Sequence, residues 1–131
     1  MNKHWWLYVL RLQQGKWYIG ITSQTPEKRF KEHLGGRKSY WTEKYLPIEI
    51  ADQKFLGDLN EEEVKTYENK VTRAYMRAKG INNVRGGDLT DKSNYVVRFG
   101  YIYDKFSWEA LTLLILGMLI IVYLLIDKFY F

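Results

Sequence analysis

The chain has 131 residues, 27% charged and 47% hydrophobic, which describes one globular domain plus appendages and excludes a disordered polypeptide. It has no cysteine and two histidines, which excludes disulfides, cysteine-ligated zinc and a histidine-rich metal centre, and leaves open an oxygen-ligated divalent ion. The net charge is +5; residues 106–131 contribute −1 through Glu109, Asp127 and Lys128, so residues 1–105 carry +6 and suit a polyanion, either nucleic acid or anionic lipid headgroups.

No apolar run of signal-peptide type follows the first residues. Residues 4–12 and 16–22 are β-rich runs joined by a polar turn containing Gly15, a hairpin pattern. Thr25-Pro26 supplies an N-cap and then a proline at the first helical position, so a short helix is expected over 26–34, closed by Gly35-Gly36. On that helix Arg29 and His33 are four residues apart and share a face, while Phe30 and Leu34 form a neighbouring stripe expected to pack inward. Arg37, Lys38, Tyr40 and Trp41 then interleave cations with aromatics in an expected loop. Such a mixture either touches phosphates and stacks on bases, or tucks its rings beneath the sheet.

A third strand is expected over 48–54, after Pro47. Asn60 and the acids Glu61, Glu62 and Glu63 mark the start of the main helix, which should run to 78 or 79 and close at Gly80. Val64, Tyr67, Val71, Ala74, Tyr75 and Ala78 form an apolar stripe at helical spacing, and Glu68 falls inside it. A carboxylate on a core-facing stripe needs a metal or a cation partner; a structural ion pair with Arg29 is the plain alternative. The alternating run over 94–99 fits either a fourth strand or an extended connector.

Residues 110–126 are 17 consecutive uncharged positions, chiefly Leu and Ile. As a helix they reach about 26 Å at about 1.5 Å per residue, and Trp108, Tyr130 and Phe131 extend the span as interfacial anchors. No polar stripe interrupts the run, so a single C-terminal transmembrane helix is expected, with a buried or oligomerising helix as the alternative. Nineteen of the 20 Lys and Arg residues precede the span. With the absent signal peptide and cysteines, this places the expected domain on the cytoplasmic side.

Five stretches stand in a telling order: Trp6-Leu7-Tyr8; Tyr18-Ile19-Gly20; the helix carrying Arg29 and His33; Tyr67-Glu68-Asn69-Lys70; and Asn83-Val84-Arg85-Gly86-Gly87. Together they resemble the GIY-YIG nuclease family over roughly residues 4–90. The second signature triplet is intact, whereas the first keeps only its tyrosine. The resemblance implies an α+β fold, a small three-stranded antiparallel sheet flanked by helices over 1–90, followed by a connector over 91–107 and a transmembrane anchor over 108–131.

It also implies a divalent-metal-dependent endonuclease that hydrolyses DNA phosphodiester bonds with Mg²⁺ or Mn²⁺. In that scheme Glu68 holds the metal and Arg29 contacts the scissile phosphate. Tyr8 and Tyr18 line the site, one of them positioning or deprotonating the attacking water. His33 assists proton transfer or phosphate contact, and Asn83 braces the site. A free tyrosine has a pKa of about 10, so a base role requires a nearby cation or metal. Read without the resemblance, the tyrosines are core aromatics, His33 and Arg29 surface groups, and Asn83 a turn residue.

The resulting expectation is a single-pass membrane nuclease that meets phage or other foreign DNA as it crosses the bilayer. The alternative is a catalytically inactive, membrane-tethered nucleic-acid-binding or assembly module, which the Trp6-Leu7 departure keeps open. A homo-oligomer or a subunit of a membrane complex is the third reading.

Overall fold

Alternating bulky side chains form β1 (Lys3–Leu12), which passes through a tight turn at Gln13–Gly15 into β2 (Trp17–Thr22) in a computed structural model describing residues 3–36, 39–90, 94–98 and 101–130. Gln14 and Gly15 take φ of 61° and 70°, the left-handed backbone that turns the chain back on itself. The chain divides into two compact units, residues 1–92 and 93–131.

In the first unit β1 is an inner strand of a four-stranded sheet ordered β3-β1-β2-β4, with β3 at Pro47–Leu59 and β4 at Val84–Gly86. β1 pairs antiparallel with both β2 and β3, giving the expected three-stranded antiparallel sheet; β4 adds a short parallel strand beside β2. The third strand is 13 residues long, well beyond the expected 48–54. Register shifts along its pairing with β1 and its largely exposed residues fit an edge strand.

Local signals start and stop the helices. In α1 (Pro26–Leu34) the Thr25 hydroxyl accepts the Lys28 backbone N–H, Pro26 occupies the first turn, and the Gly35 N–H returns to the last carbonyls. Phe30 packs inward as expected, but Leu34 is 48% exposed and His33 is the buried residue instead. The segment expected as a loop is a short helix, α2 (Tyr40–Lys44), started by a capping box between Ser39 and Thr42. α3 (Glu61–Lys79) begins with reciprocal bonds between Asn60 and Glu63 and ends at Gly80. Its buried stripe is Val64, Glu68, Thr72 and Met76, with Tyr67, Val71 and Tyr75 beside it; Ala74 and Ala78, expected in the stripe, are exposed.

α1 packs on β1 and β3, and α3 on β2 and β4. One core cluster joins Tyr8, Leu10, Leu12 and Trp41, with Tyr18, Phe30, Tyr45 and Ile50 against it. Tyr8 and Gly20 are cross-strand partners, and the Tyr8 ring lies so close over Gly20 that a β-carbon there would collide with its Cζ and Oη. Gly86 is equally confined: a β-carbon would come within 2.5 Å of the Ile19 carbonyl oxygen and 2.8 Å of the Thr72 hydroxyl. This contact lets β2, β4 and α3 close together.

In the second unit, the 94–99 run resolves as β5 (Tyr95–Arg98), hairpinned to β6 (Tyr101–Asp104), with Phe99 outside the described residues. α4 (Lys105–Tyr130) follows directly and starts ahead of the expected anchor boundary. Its mean hydropathy reaches 2.6, and it is long and apolar enough to cross a membrane. The Tyr103 and Trp108 rings meet at 5.5 Å where the hairpin joins the helix.

Gly20→Ala should destabilise the first unit by about 1–3 kcal/mol, the usual cost of overpacking a filled core. Denaturant unfolding of the full chain in detergent measures this, and an unchanged midpoint would mean the Tyr8 ring does not lie over the glycine.

Candidate active site

The hairpin sets two phenols side by side, and α1 lays an imidazole against both. The Tyr8 hydroxyl is 2.9 Å from His33 Nε2, with Tyr8 1% and His33 0% exposed. The Tyr18 ring meets the His33 ring edge-on at 5.1 Å and the Tyr8 ring at 6.3 Å. The second imidazole nitrogen, Nδ1, lies 3.1 Å from the Thr42 hydroxyl, which also receives the Ser39 backbone N–H at 3.0 Å. The Ser39 hydroxyl is 3.1 Å from that of Thr42, completing a chain of polar groups from Ser39 to Tyr8. Arg29, one turn before His33 on α1, hydrogen-bonds Tyr8 and pairs with Glu32 at 2.9 Å. Arg29 and Ser39 open into a cleft of about 500 Å³ lined also by Trp5, Thr22 and Glu32.

Burial dominates the protonation of this cluster. It raises the Tyr8 and Tyr18 phenols above their ordinary range, assisted for Tyr8 by Tyr18 and for Tyr18 by the Glu68 carboxylate; the Arg29 charge acts in the opposite sense on both. Burial, and then Arg29, lower His33 to about 4, so its imidazole is neutral at physiological pH. Burial lifts Glu68 to about 7, against a backbone hydrogen bond from Gly87, with Asp88 reinforcing the rise.

Glu68 sits on the buried stripe of α3, as its spacing predicts, and its charge is felt by both tyrosines. Gly87 donates a backbone hydrogen bond to it from the turn after β4. That turn is itself tied to α3, because Asn69 Nδ2 donates to the Asp88 carboxylate at 2.9 Å and the Asp88 N–H donates to Asn69 Oδ1 at 2.8 Å. Gly87 has φ of 53°, and Asn69 lies against the space a β-carbon would need. Among the described residues no group of three or more His, Asp or Glu side chains gathers as a ready-made metal cage.

The structure therefore joins Tyr8, Tyr18, Arg29 and His33 directly, with Glu68 within electrostatic reach. It does not bring Asn83 to them. Asn83 accepts from Lys16 Nζ at 2.8 Å and donates to the Lys79 carbonyl at 2.8 Å, at the far end of α3, about 17 Å along the helix from Glu68. Trp41, expected as a nucleic-acid contact, is buried instead: its indole N–H donates to the Trp17 carbonyl at 2.9 Å and the Arg85 guanidinium lies 4.6 Å from its ring centre. Tyr40 stays at the surface, 41% exposed, while Arg37 and Lys38 lie outside the described residues.

Sequence reasoning did not single out Thr42, Ser39 or the Asn69–Asp88 tie. The Ser39-to-Thr42 spacing was the available signal, since such pairs start helices.

A family model described as the GIY-YIG catalytic domain matches residues 4–82, well over half of the chain. The chain belongs to the GIY-YIG family. It is therefore a nuclease, a phosphodiester hydrolase, and the Tyr8–His33–Arg29 cluster lies within its GIY-YIG domain. No curated protein and no solved structure matches the chain.

Two stability measurements test this GIY-YIG site. The folded chain holds the Glu68 proton up to about pH 7, against an ordinary value of 4.5, so folding takes up a proton between these values and Glu68's contribution to stability falls as pH rises through that window. His33 acts oppositely, losing stability as pH falls from 6.5 through about 4. With divalent ions chelated, Glu68→Gln should therefore gain stability relative to the parent as pH rises towards 7, the His33 contribution cancelling in the difference; a pH-independent difference would contradict a buried carboxyl. Thr42→Val should cost about 1–3 kcal/mol by stranding buried polar partners, and Thr42→Ser should restore most of it.

Proposed function

We propose that this nuclease is a divalent-metal-dependent DNA endonuclease tethered to a membrane by α4, with its catalytic domain in the cytoplasm. The observation that carries the catalytic reading is the junction of two phenols, a neutral imidazole and an arginine beside a buried carboxylate. Glu68 is the group that would hold Mg²⁺ or Mn²⁺. One carboxylate completed by water and substrate oxygens is a mode Mg²⁺ favours, and a cation there compensates the burial that holds this carboxyl's pKa up. The bound ion would supply charge relief at the scissile phosphate.

The chain's own groups account for the rest. Arg29 reaches the cleft with a planar fork suited to phosphate oxygens. Thr42 can accept from His33 Nδ1–H while donating its own proton to the Ser39 carbonyl at 3.3 Å. In that tautomer Nε2 is free to accept the Tyr8 proton at 2.9 Å. A water attacking phosphorus then loses its proton to the Tyr8 oxygen as the phenolic proton passes to His33, the P–O bond to the leaving strand breaks, and the departing alkoxide takes a proton from solvent water, so no free phenolate forms in the buried site. Tyr18 packs against the imidazole and confines it. The Trp6-Leu7 departure from the family triplet removes none of these groups; Trp6 instead packs at a tilt against Phe55, ring centres 5.0 Å apart.

What supports tethering is the length and apolarity of α4. A nuclease fixed to a bilayer meets DNA crossing that bilayer at high effective concentration, which suits defence against phage or other foreign DNA. In membrane fractions containing the chain, cleavage of labelled DNA should require Mg²⁺ or Mn²⁺ and stop with chelator. Glu68→Ala and Arg29→Ala should each lower the rate by about 10²-fold or more, the scale for losing one electrostatic stabiliser. Full cleavage by both variants would overturn the mechanism, and activity confined to the soluble fraction would overturn the tether.

A further inference from the structure

Three lysines from three separate elements converge at the turn end of the sheet. Lys16, between β1 and β2, and Lys44, at the end of α2, each place Nζ 5.4 Å from the centre of the Tyr45 ring. Their ammonium groups are thus at most 10.8 Å apart, twice that distance. Lys79, at the end of α3, lies 4.8 Å over the Trp17 ring. Asn83 joins the two halves by accepting from Lys16 Nζ and donating to the Lys79 carbonyl, both at 2.8 Å.

The C-terminal ends of α2 and α3 favour Lys44 and Lys79 there. Lys16 is held there by its bond to Asn83 Oδ1, and it shares the Tyr45 ring with Lys44. Among the described residues the ion pairs are Arg11–Glu49, Arg29–Glu32 and Lys105–Glu109, so no carboxylate within 4.0 Å neutralises any of the three lysines. Like charges held together without a counter-ion are a seat for an external anion.

We propose that Lys16, Lys44 and Lys79 bind the backbone phosphates of the nucleic-acid substrate flanking the cleavage point. The proposal rests on the nuclease reading and extends it to a substrate contact outside the cleft. Lys16 precedes Tyr18 by two residues, about 7 Å of strand, and Tyr45 packs on the same core cluster as Tyr8 and Tyr18. The cleft opens at the other end of β2, beside Ile21 and Thr22, so one nucleic-acid strand running from it onto the lysines covers about 20 Å, several nucleotides. Because the Tyr45 and Trp17 faces are already covered by ammonium groups, the seat reads phosphate and not base, and contributes affinity without sequence preference.

The test measures binding of the full chain, in detergent and without divalent ions, to a short fluorescent DNA duplex over a range of salt concentrations. Converting all three lysines to Gln should weaken binding at least tenfold and lower the slope of log affinity against log salt by about 2–3, near 0.9 per phosphate lost. Conversion to Arg should retain both. Unchanged affinity and slope in the Gln variant would overturn the proposal while leaving the nuclease reading intact. So would an equal loss from the exposed control set Lys28, Lys54 and Lys70 converted to Gln. Lys44→Gln, which removes no hydrogen bond, should give a partial loss even if the triple variant folds poorly, and its indifference counts against the seat. Intact duplex binding with a lost preference for anionic liposomes would overturn it in favour of lipid headgroups. Absence of duplex binding by every form would overturn it together with the DNA reading.

Discussion

The hydrogen bond between Tyr8 and His33 is made where water does not compete, and the rest of the catalytic unit is arranged to hold it. An imidazole that is 0% exposed must find partners for both nitrogens within the protein. One is the Tyr8 hydroxyl, on the inner strand; the other is Thr42, fixed in place by the capping box that starts α2. Gly20 leaves room for the phenol, and the Thr25 cap with Pro26 sets where α1 begins and hence where His33 points. Loss of the Tyr8 hydroxyl or of Thr42 leaves a buried imidazole nitrogen stranded, which makes the network cooperative.

The same burial gives the site its electrostatic character. Two phenols and one carboxyl are held in their neutral, protonated forms beyond the pH at which they ordinarily ionise, and the imidazole is held neutral as well. Arg29 is the cation that works against the phenols' burial. Groups so poised respond strongly to added charge, because the surrounding dielectric screens it weakly. Any charge brought to this cluster therefore alters proton affinities in several residues together.

The second unit follows other physics. Among its described residues α4 buries none, and beside its backbone bonds it carries the Lys105–Glu109 ion pair and a bond from the Thr112 hydroxyl to the Trp108 carbonyl. The β5–β6 hairpin brings Tyr103 onto Trp108 at the start of the helix, with ring centres 5.5 Å apart.

Local chemistry was legible in the sequence by itself. The Thr25-Pro26 start, the Asn60 cap, the closing glycines and the uncharged run over 110–126 depend on neighbours within a few residues, and the structure reproduces each of them. The ordered motifs likewise revealed the family, four of the five lying inside the match over residues 4–82, and Glu68 stood out because a carboxylate on an apolar stripe is costly wherever it sits.

Tertiary structure alone decided the contacts that span the chain. Cations alternating with aromatics have the same composition on a surface or in a core, and only the Trp17 carbonyl and the Arg85 guanidinium put Trp41 inside. Asn83 likewise braces Lys16, 67 positions away, and not Glu68, because the parallel pairing of β4 with β2 carries it to the turn end of the sheet. Propensity and periodicity register the neighbours along the helix or strand, whereas the partner of a buried polar group is chosen by which distant strands and helices close upon it.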